Sequence, residues 1–130
     1  MRYSWDNTSS FSELLGKTLL EVKIVQDDYQ DEIHFITADG KYIMTHDQEC
    51  CEDVHIEEII GNLDDLIGTP IVMAEENFNE GESDWGTSTW TFYKLATIKG
   101  YVTIRWFGES NGCYSESVDM YFIPNNKEEN

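Results

Sequence analysis

Residues 89–108 read TWTFYKLATIKGYVTIRWFG, and their pattern decides the fold. In the second half, Val102, Ile104 and Trp106 take every other position, interleaved with Tyr101, Thr103, Arg105 and Phe107. A period of two marks a strand, because successive strand side chains point to opposite faces. The first half, TWTFYKLAT, is rich in the β-branched and aromatic residues that favour strands, and IKG at 98–100 is short enough to join the two as a hairpin. Apolar groups on both faces of 101–107 predict a central strand covered on both sides.

Similar signals extend outward from this hairpin. Leu20, Val22 and Ile24 alternate with Glu21 and Lys23, and Ile33 and Phe35 repeat the pattern. Asp39-Gly40 is a strong hairpin signal leading into KYIMTH. In VHIEEI, Val54 and Ile56 share one face while His55 and Glu57 share the other. A further strand, YSESVDMYFIP, follows the SNG turn at 110–112. Two segments read as short helices. SSFSELLG offers Ser10 as N-cap, Glu13 in capping-box position and Gly16 as C-cap; NLDDLIG offers Asn62 as cap, with Asp64 and Asp65 in the first turn. TPIVMAEE reads as a strand entering a long polar loop, NFNEGESDWGTS at 77–88. The expected fold is α+β, mainly β: a single domain over residues 1–124, with residues 125–130 a frayed tail. Its architecture is an antiparallel twisted sheet or sandwich of about seven or eight strands with one or two short helices.

A chain of 130 residues suits one core, and 40% apolar with 13% aromatic residues separates its acidity from that of a disordered chain. The net charge is −18, and it is unevenly spread. Residues 1–41 carry eight acids against four Lys/Arg, and residues 94–130 carry five against four. Residues 42–93 carry thirteen acids and no Lys or Arg. A polyanion such as nucleic acid is excluded as a direct partner of this middle third; a basic protein surface suits it. The opening MRYSWDNTSSF lacks the apolar stretch of a secretory signal, no run reaches membrane-span length, and three Cys make a poor disulfide framework. The expected location is cytoplasmic, with no membrane partner.

HDQECCEDVHIEE (46–58) concentrates ligand atoms, and His46, Cys50, Cys51 and His55 form an alternative metal-binding set. Zinc sites normally space their cysteines as CxxC, whereas adjacent cysteines on a strand point to opposite faces. Buried or half-buried thiols on a bent connection are the better reading, and no metal or other cofactor is expected. Cysteines among so many carboxylates have their thiolates disfavoured, which opposes nucleophilic catalysis. Paired acids such as Glu75-Glu76 or Asp64-Asp65 are sequence neighbours and do not face each other across a cleft as acid–base chemistry requires. The Asp-x-Asp-x-Asp-Gly spacing of a calcium loop is missing, and GKT at 16–18 lacks the glycine of a phosphate loop five residues earlier, where Phe11 stands. The chain reads as a non-enzyme.

HDQECCEDVHIEEIIGNLDDLIGTPIVMAEE followed by TWTFYKLATIKGYVTIRWFGESNGCYSESV is similar to a family of small phage and bacterial proteins known as a domain of unknown function. The resemblance spans residues 11–118, most of the chain. It carries over no catalytic or ligand-binding residue, and Cys113 departs from the aromatic more usual in that turn. What it implies is a phage or mobile-element context, in which small acidic proteins often block host defence enzymes.

The resulting expectation is an inhibitor that presents carboxylates to a basic surface of a host protein, such as a defence nuclease or a CRISPR-type effector. Its contact residues are Asp64, Asp65, Glu75, Glu76, Glu80, Glu82 and Asp84, with Trp85 as an anchor. The alternative is a small-ligand or nucleotide binder using Tyr93, Lys94, Arg105 and Tyr114 as a basic-aromatic pocket.

Overall fold

The hydrophobic periodicity of the chain resolves, in a computed structural model, into nine strands and three single-turn 3-10 helices among the described residues. The structure describes residues 3–26, 30–47, 52–82, 86–111 and 116–125. The strands are β1 (Thr8–Ser9), β2 (Glu21–Gln26), β3 (Asp31–Ile36), β4 (Gly40–Thr45), β5 (Glu52–Ile60), β6 (Met73–Glu82), β7 (Thr87–Thr97), β8 (Gly100–Ser110) and β9 (Asp119–Pro124). They form two antiparallel sheets, one five-stranded in the order β1-β9-β4-β3-β2 and one four-stranded in the order β5-β8-β7-β6. The chain is a sandwich, with the core between the sheets.

Period-two alternation supplies that core from both sides. Ile33, Phe35, Tyr42, Met44 and Met120 come from the five-stranded sheet; Val54, Tyr93, Leu95, Val102, Ile104 and Trp106 come from the other. The Trp106 indole N–H reaches across to the Met44 sulfur at 3.2 Å, tying the sheets together. Phe11, Leu14, Leu19, Leu66 and Ile71, all buried, extend the core beyond the strands. Tyr3 covers the outer face of the five-stranded sheet, where its ring meets Tyr121 at 5.3 Å and its hydroxyl donates to Glu32 at 2.8 Å. That acid, 2% exposed, also accepts from Gln30 at 3.2 Å and lies 2.8 Å from His34 Nε2.

Several expectations are met residue by residue. Val102, Ile104 and Trp106 share the buried face of β8, and the IKG segment turns β7 into β8. Asp39 and Gly40 stand where β3 turns into β4. The Asn62 side chain accepts from the Asp64 N–H at 3.0 Å, as a cap should.

Four local expectations are overturned. The Ser10–Gly16 segment makes only a 3-10 turn (Phe11–Leu14), and the Ser10 side chain caps nothing; four residues are too few for the α-helical nucleus a capping box serves. Gly16 does take the left-handed conformation (φ 86°) expected of a helix-ending glycine. Leu20 is not a strand residue: it lies just before β2 and is exposed, while Leu19 enters the core. β8 is central but not covered on both sides, since Tyr101 is 71% exposed and its neighbours on that face are only half-buried.

The fourth correction concerns 77–88. Most of this segment is not loop but hairpin, because β6 and β7 pair without interruption from Met73↔Ala96 to Glu82↔Thr87. The expected tail, 125–130, is described only at its first residue. Asn125 is tied to the β3–β4 turn by its N–H to Asp39 and its amide to Ala38, and residues 126–130 lie outside the described residues.

Candidate functional site

β6 is the edge of the four-stranded sheet, and Glu75 through Glu82 are exposed without exception. Strand alternation divides this row. Glu76, Phe78, Glu80 and Glu82, opposite Tyr93, Thr91, Thr89 and Thr87, share the face that continues from the core; Glu75, Asn77 and Asn79, opposite Lys94, Phe92 and Trp90, share the outer face. On the inner side, the sheet runs beyond the core and leaves an open groove of about 720 Å³. Glu76, Phe78 and Glu80 form one wall, Thr89, Thr91 and Tyr93 lie beside them, and Glu116 to Val118 close the far side.

Glu116 is the best-anchored acid of the groove. It accepts from Thr87, from Thr89 at 2.8 Å and from Ser110 at 2.6 Å. Partial burial works to raise its pKa, but the three hydroxyl donors together outweigh it and hold the carboxyl below the ordinary glutamate value. Tyr93, 2% exposed on the inner face, is pushed far above the ordinary phenol value by burial and then by the Glu76 carboxylate. Among the described residues, the groove therefore presents acceptors and one exposed ring, Phe78, with no cationic side chain in its lining.

The expected contact residues fall into two groups. Glu75, Glu76, Glu80 and Glu82 are brought together on β6. Asp64 and Asp65 lie in the 3-10 turn Leu63–Leu66, packed by the β7–β8 turn at the opposite end of the hairpin. There Thr97 donates to the Asp65 carbonyl, and Lys99 donates to the Ile67 carbonyl at 2.6 Å. Asp84 and Trp85 lie outside the described residues.

The alternative pocket residues are not gathered. Tyr93 faces inward, whereas Lys94 and Arg105 face outward on the other side of the same sheet. Arg105 is engaged by Glu57 and Glu58, each at 2.8 Å, and Tyr114 lies outside the described residues. The alternative metal set is divided too. His46 is buried after β4, with Nδ1 donating to the Ser117 carbonyl at 2.7 Å and Nε2 3.8 Å from Glu52, whereas His55 faces outward beside Phe107 and Asp53. Cys50 and Cys51, like Cys113, lie outside the described residues, and no group of three potential metal ligands occurs among those described.

Sequence reasoning missed Phe78, Thr89 and Glu116. A lone aromatic inside NFNEGE was the available signal for Phe78; nothing local marked Glu116, whose role comes from the chain returning past β7. Residues 12–120 match the family described as Domain of unknown function (DUF7448). The chain belongs to this family. No curated protein and no solved structure matches it. In this DUF7448 chain no helix among the described residues is long and apolar enough to cross a membrane.

Proposed function

We propose that this DUF7448 protein is a non-enzymatic binding protein whose β6 carboxylates engage a basic surface of another protein. The observation that carries this reading is the placement of Glu75, Glu76, Glu80 and Glu82 on one exposed edge strand, within 52 residues that hold no Lys or Arg. Among the described residues, none of these four makes an ion pair. Glu75 has Lys94 opposite it on β7, but Glu76, Glu80 and Glu82 face Tyr93, Thr89 and Thr87. Repulsion along this inner row is thus left for a partner to relieve, and long-range attraction would speed encounter at low salt. Nucleic-acid-binding grooves are a common source of such basic surfaces. A host nuclease or CRISPR-type effector, blocked by a phage or mobile-element protein in the cytoplasm, is the partner class this reading favours. The carboxylates of the inner groove oppose a nucleotide there, so they support protein binding over nucleotide storage.

The test is retention of host proteins from a bacterial lysate at low and high salt, identified by mass spectrometry, beside a variant with Glu75, Glu76, Glu80 and Glu82 reversed to Lys. A basic protein retained by the wild type, released by salt and lost with the variant is the expected result. Retention indifferent to both changes refutes the electrostatic account.

A further inference from the structure

The four sheet edges of the sandwich are not alike. β1 is two residues long; β5 is interrupted by a register shift between Ile56 and Glu58; β2 is six residues long and mixes Glu21 with Lys23. β6 runs ten residues with no shift, and on its open side no strand pairs with it among the described residues. Long, regular edges are uncommon because their unpaired N–H and C=O groups are templates for another strand. Bulges and brevity blunt the other edges, and neither device is used at β6.

The bland reading treats the glutamates of β6 as guards against aggregation, and they do serve that end. A second copy pairing edge to edge would set carboxylates beside carboxylates, which is unfavourable. Guarding against self-pairing does not account for the rest of the edge. Phe78 stands 62% exposed in mid-strand, and the groove beside it is open along the same inner face. An added strand needs two things: a row of backbone partners for affinity, and a pocket for alternate side chains to set register. β6 provides the first along its exposed stretch Glu75–Glu82, about 27 Å of extended chain, while the 3-10 turn Phe11–Leu14 also packs against the strand. The groove of Glu76, Phe78 and Glu80 provides the second.

We propose that β6 accepts an extended basic segment of the partner as a fifth strand of the four-stranded sheet, with its alternate Lys or Arg side chains directed into the Glu76–Phe78–Glu80 groove. This rests on the reading of β6 as the contact surface and adds the mode of contact. Carboxylates at Glu76 and Glu80 take the cationic heads, and the Phe78 ring between them receives an alkyl stem or a guanidinium face. The same charges that repel a second copy of the chain select this partner, so specificity and protection from aggregation share one cause.

The test uses ten-residue peptides of alternating Lys and Val at low salt, with binding read by fluorescence anisotropy. One is unmodified; the others carry backbone N-methyl groups on all Lys or on all Val positions, which leaves the charge unchanged. Strand addition predicts that the unmodified peptide binds. One methylated series should lose at least tenfold in affinity while the other stays within about threefold, because only one parity of N–H groups faces β6. Amide exchange over residues 75–82 should slow on binding, and F78A, a change at an exposed side chain, should weaken binding several-fold. Equal binding by both methylated series overturns strand addition and leaves the acidic-surface reading intact. No binding by the unmodified peptide also overturns it, while the charge-reversal experiment above decides the broader reading separately.

Discussion

The Arg105 Nε lies 2.8 Å from Glu57 Oε1, and the same guanidinium reaches Glu58 through Nη2, also at 2.8 Å. Two consecutive strand residues ordinarily point to opposite faces. They meet one arginine here because the β5–β8 register shifts between Ile56 and Glu58, and a bulge re-aims the extra residue. The outer face of the sheet is thereby held by one guanidinium that pairs with two carboxylates at once, although its Nε is not aligned for a hydrogen bond to Glu57.

This arrangement predicts an asymmetric response to substitution. R105K keeps the charge but loses the second contact, and should cost about 0.5–1 kcal/mol in urea unfolding. R105L leaves two adjacent carboxylates unneutralised and should cost about 1–2 kcal/mol at low salt. Both losses should shrink in high salt, because all three side chains are partly exposed.

Trp106 offers a second measurement. It is 1% exposed, and its indole N–H is satisfied by the Met44 sulfur. W106A should cost about 3–5 kcal/mol through the cavity it leaves, and W106F less, because it fills part of that space and strands no buried donor. M44L, near-isosteric, removes the acceptor and should cost about 1–3 kcal/mol, the penalty of an indole N–H buried without a partner. A near-neutral M44L would show that the N–H···S contact contributes little to stability.

These two sites also show what sequence alone could convey. Trp106 was legible because burial imposes alternation, and Val102, Ile104 and Trp106 carry it clearly. The Glu57 bulge is not, since the extra residue and the Glu58 that follows it are both glutamates, and a slip between like residues leaves no mark. Beyond residue 76, β6 reads as loop in the sequence for a related reason. An edge strand exposed on both faces has no buried set, so NFNEGE shows no apolar period although it pairs residue for residue with β7. The groove needed a contact between Glu116 and Thr87, 29 positions apart in sequence, which no local pattern encodes. By contrast, the Asn62 cap and the Asp39-Gly40 turn are local chemistry and were read directly.

Gly40 predicts a sharp local effect. A Cβ there would meet the Ile123 carbonyl oxygen and come within 2.8 Å of the Pro124 Cα, both backbone atoms of the paired strand β9. Neither can rotate away, so G40A must push β4 and β9 apart. We expect a loss of about 2–4 kcal/mol by urea unfolding, well above the ordinary glycine-to-alanine change. A loss below about 1 kcal/mol would show that the strands part freely at this point.

Two carboxylates predict opposite pH dependences. Glu116 is held below its ordinary value of 4.5, so its contribution is present above that pH and is lost as pH falls through the lower, folded value. E116Q should therefore destabilise the protein at neutral pH, by about 1 kcal/mol given solvent screening of a mostly exposed group, and the gap to wild type should close as the pH falls below 4. Asp119 is raised above 3.8 by burial, with attraction to His46 opposing and repulsion from Asp47 adding to it. Its protonated form is the better tolerated, so its contribution is present below the ordinary value and lost as pH rises through the folded one. D119N should consequently match wild type near pH 3 and exceed it modestly at pH 7. Thermal unfolding of both variants between pH 3 and 7 checks the pair, and parallel curves for wild type and E116Q would contradict the three-hydroxyl account of Glu116.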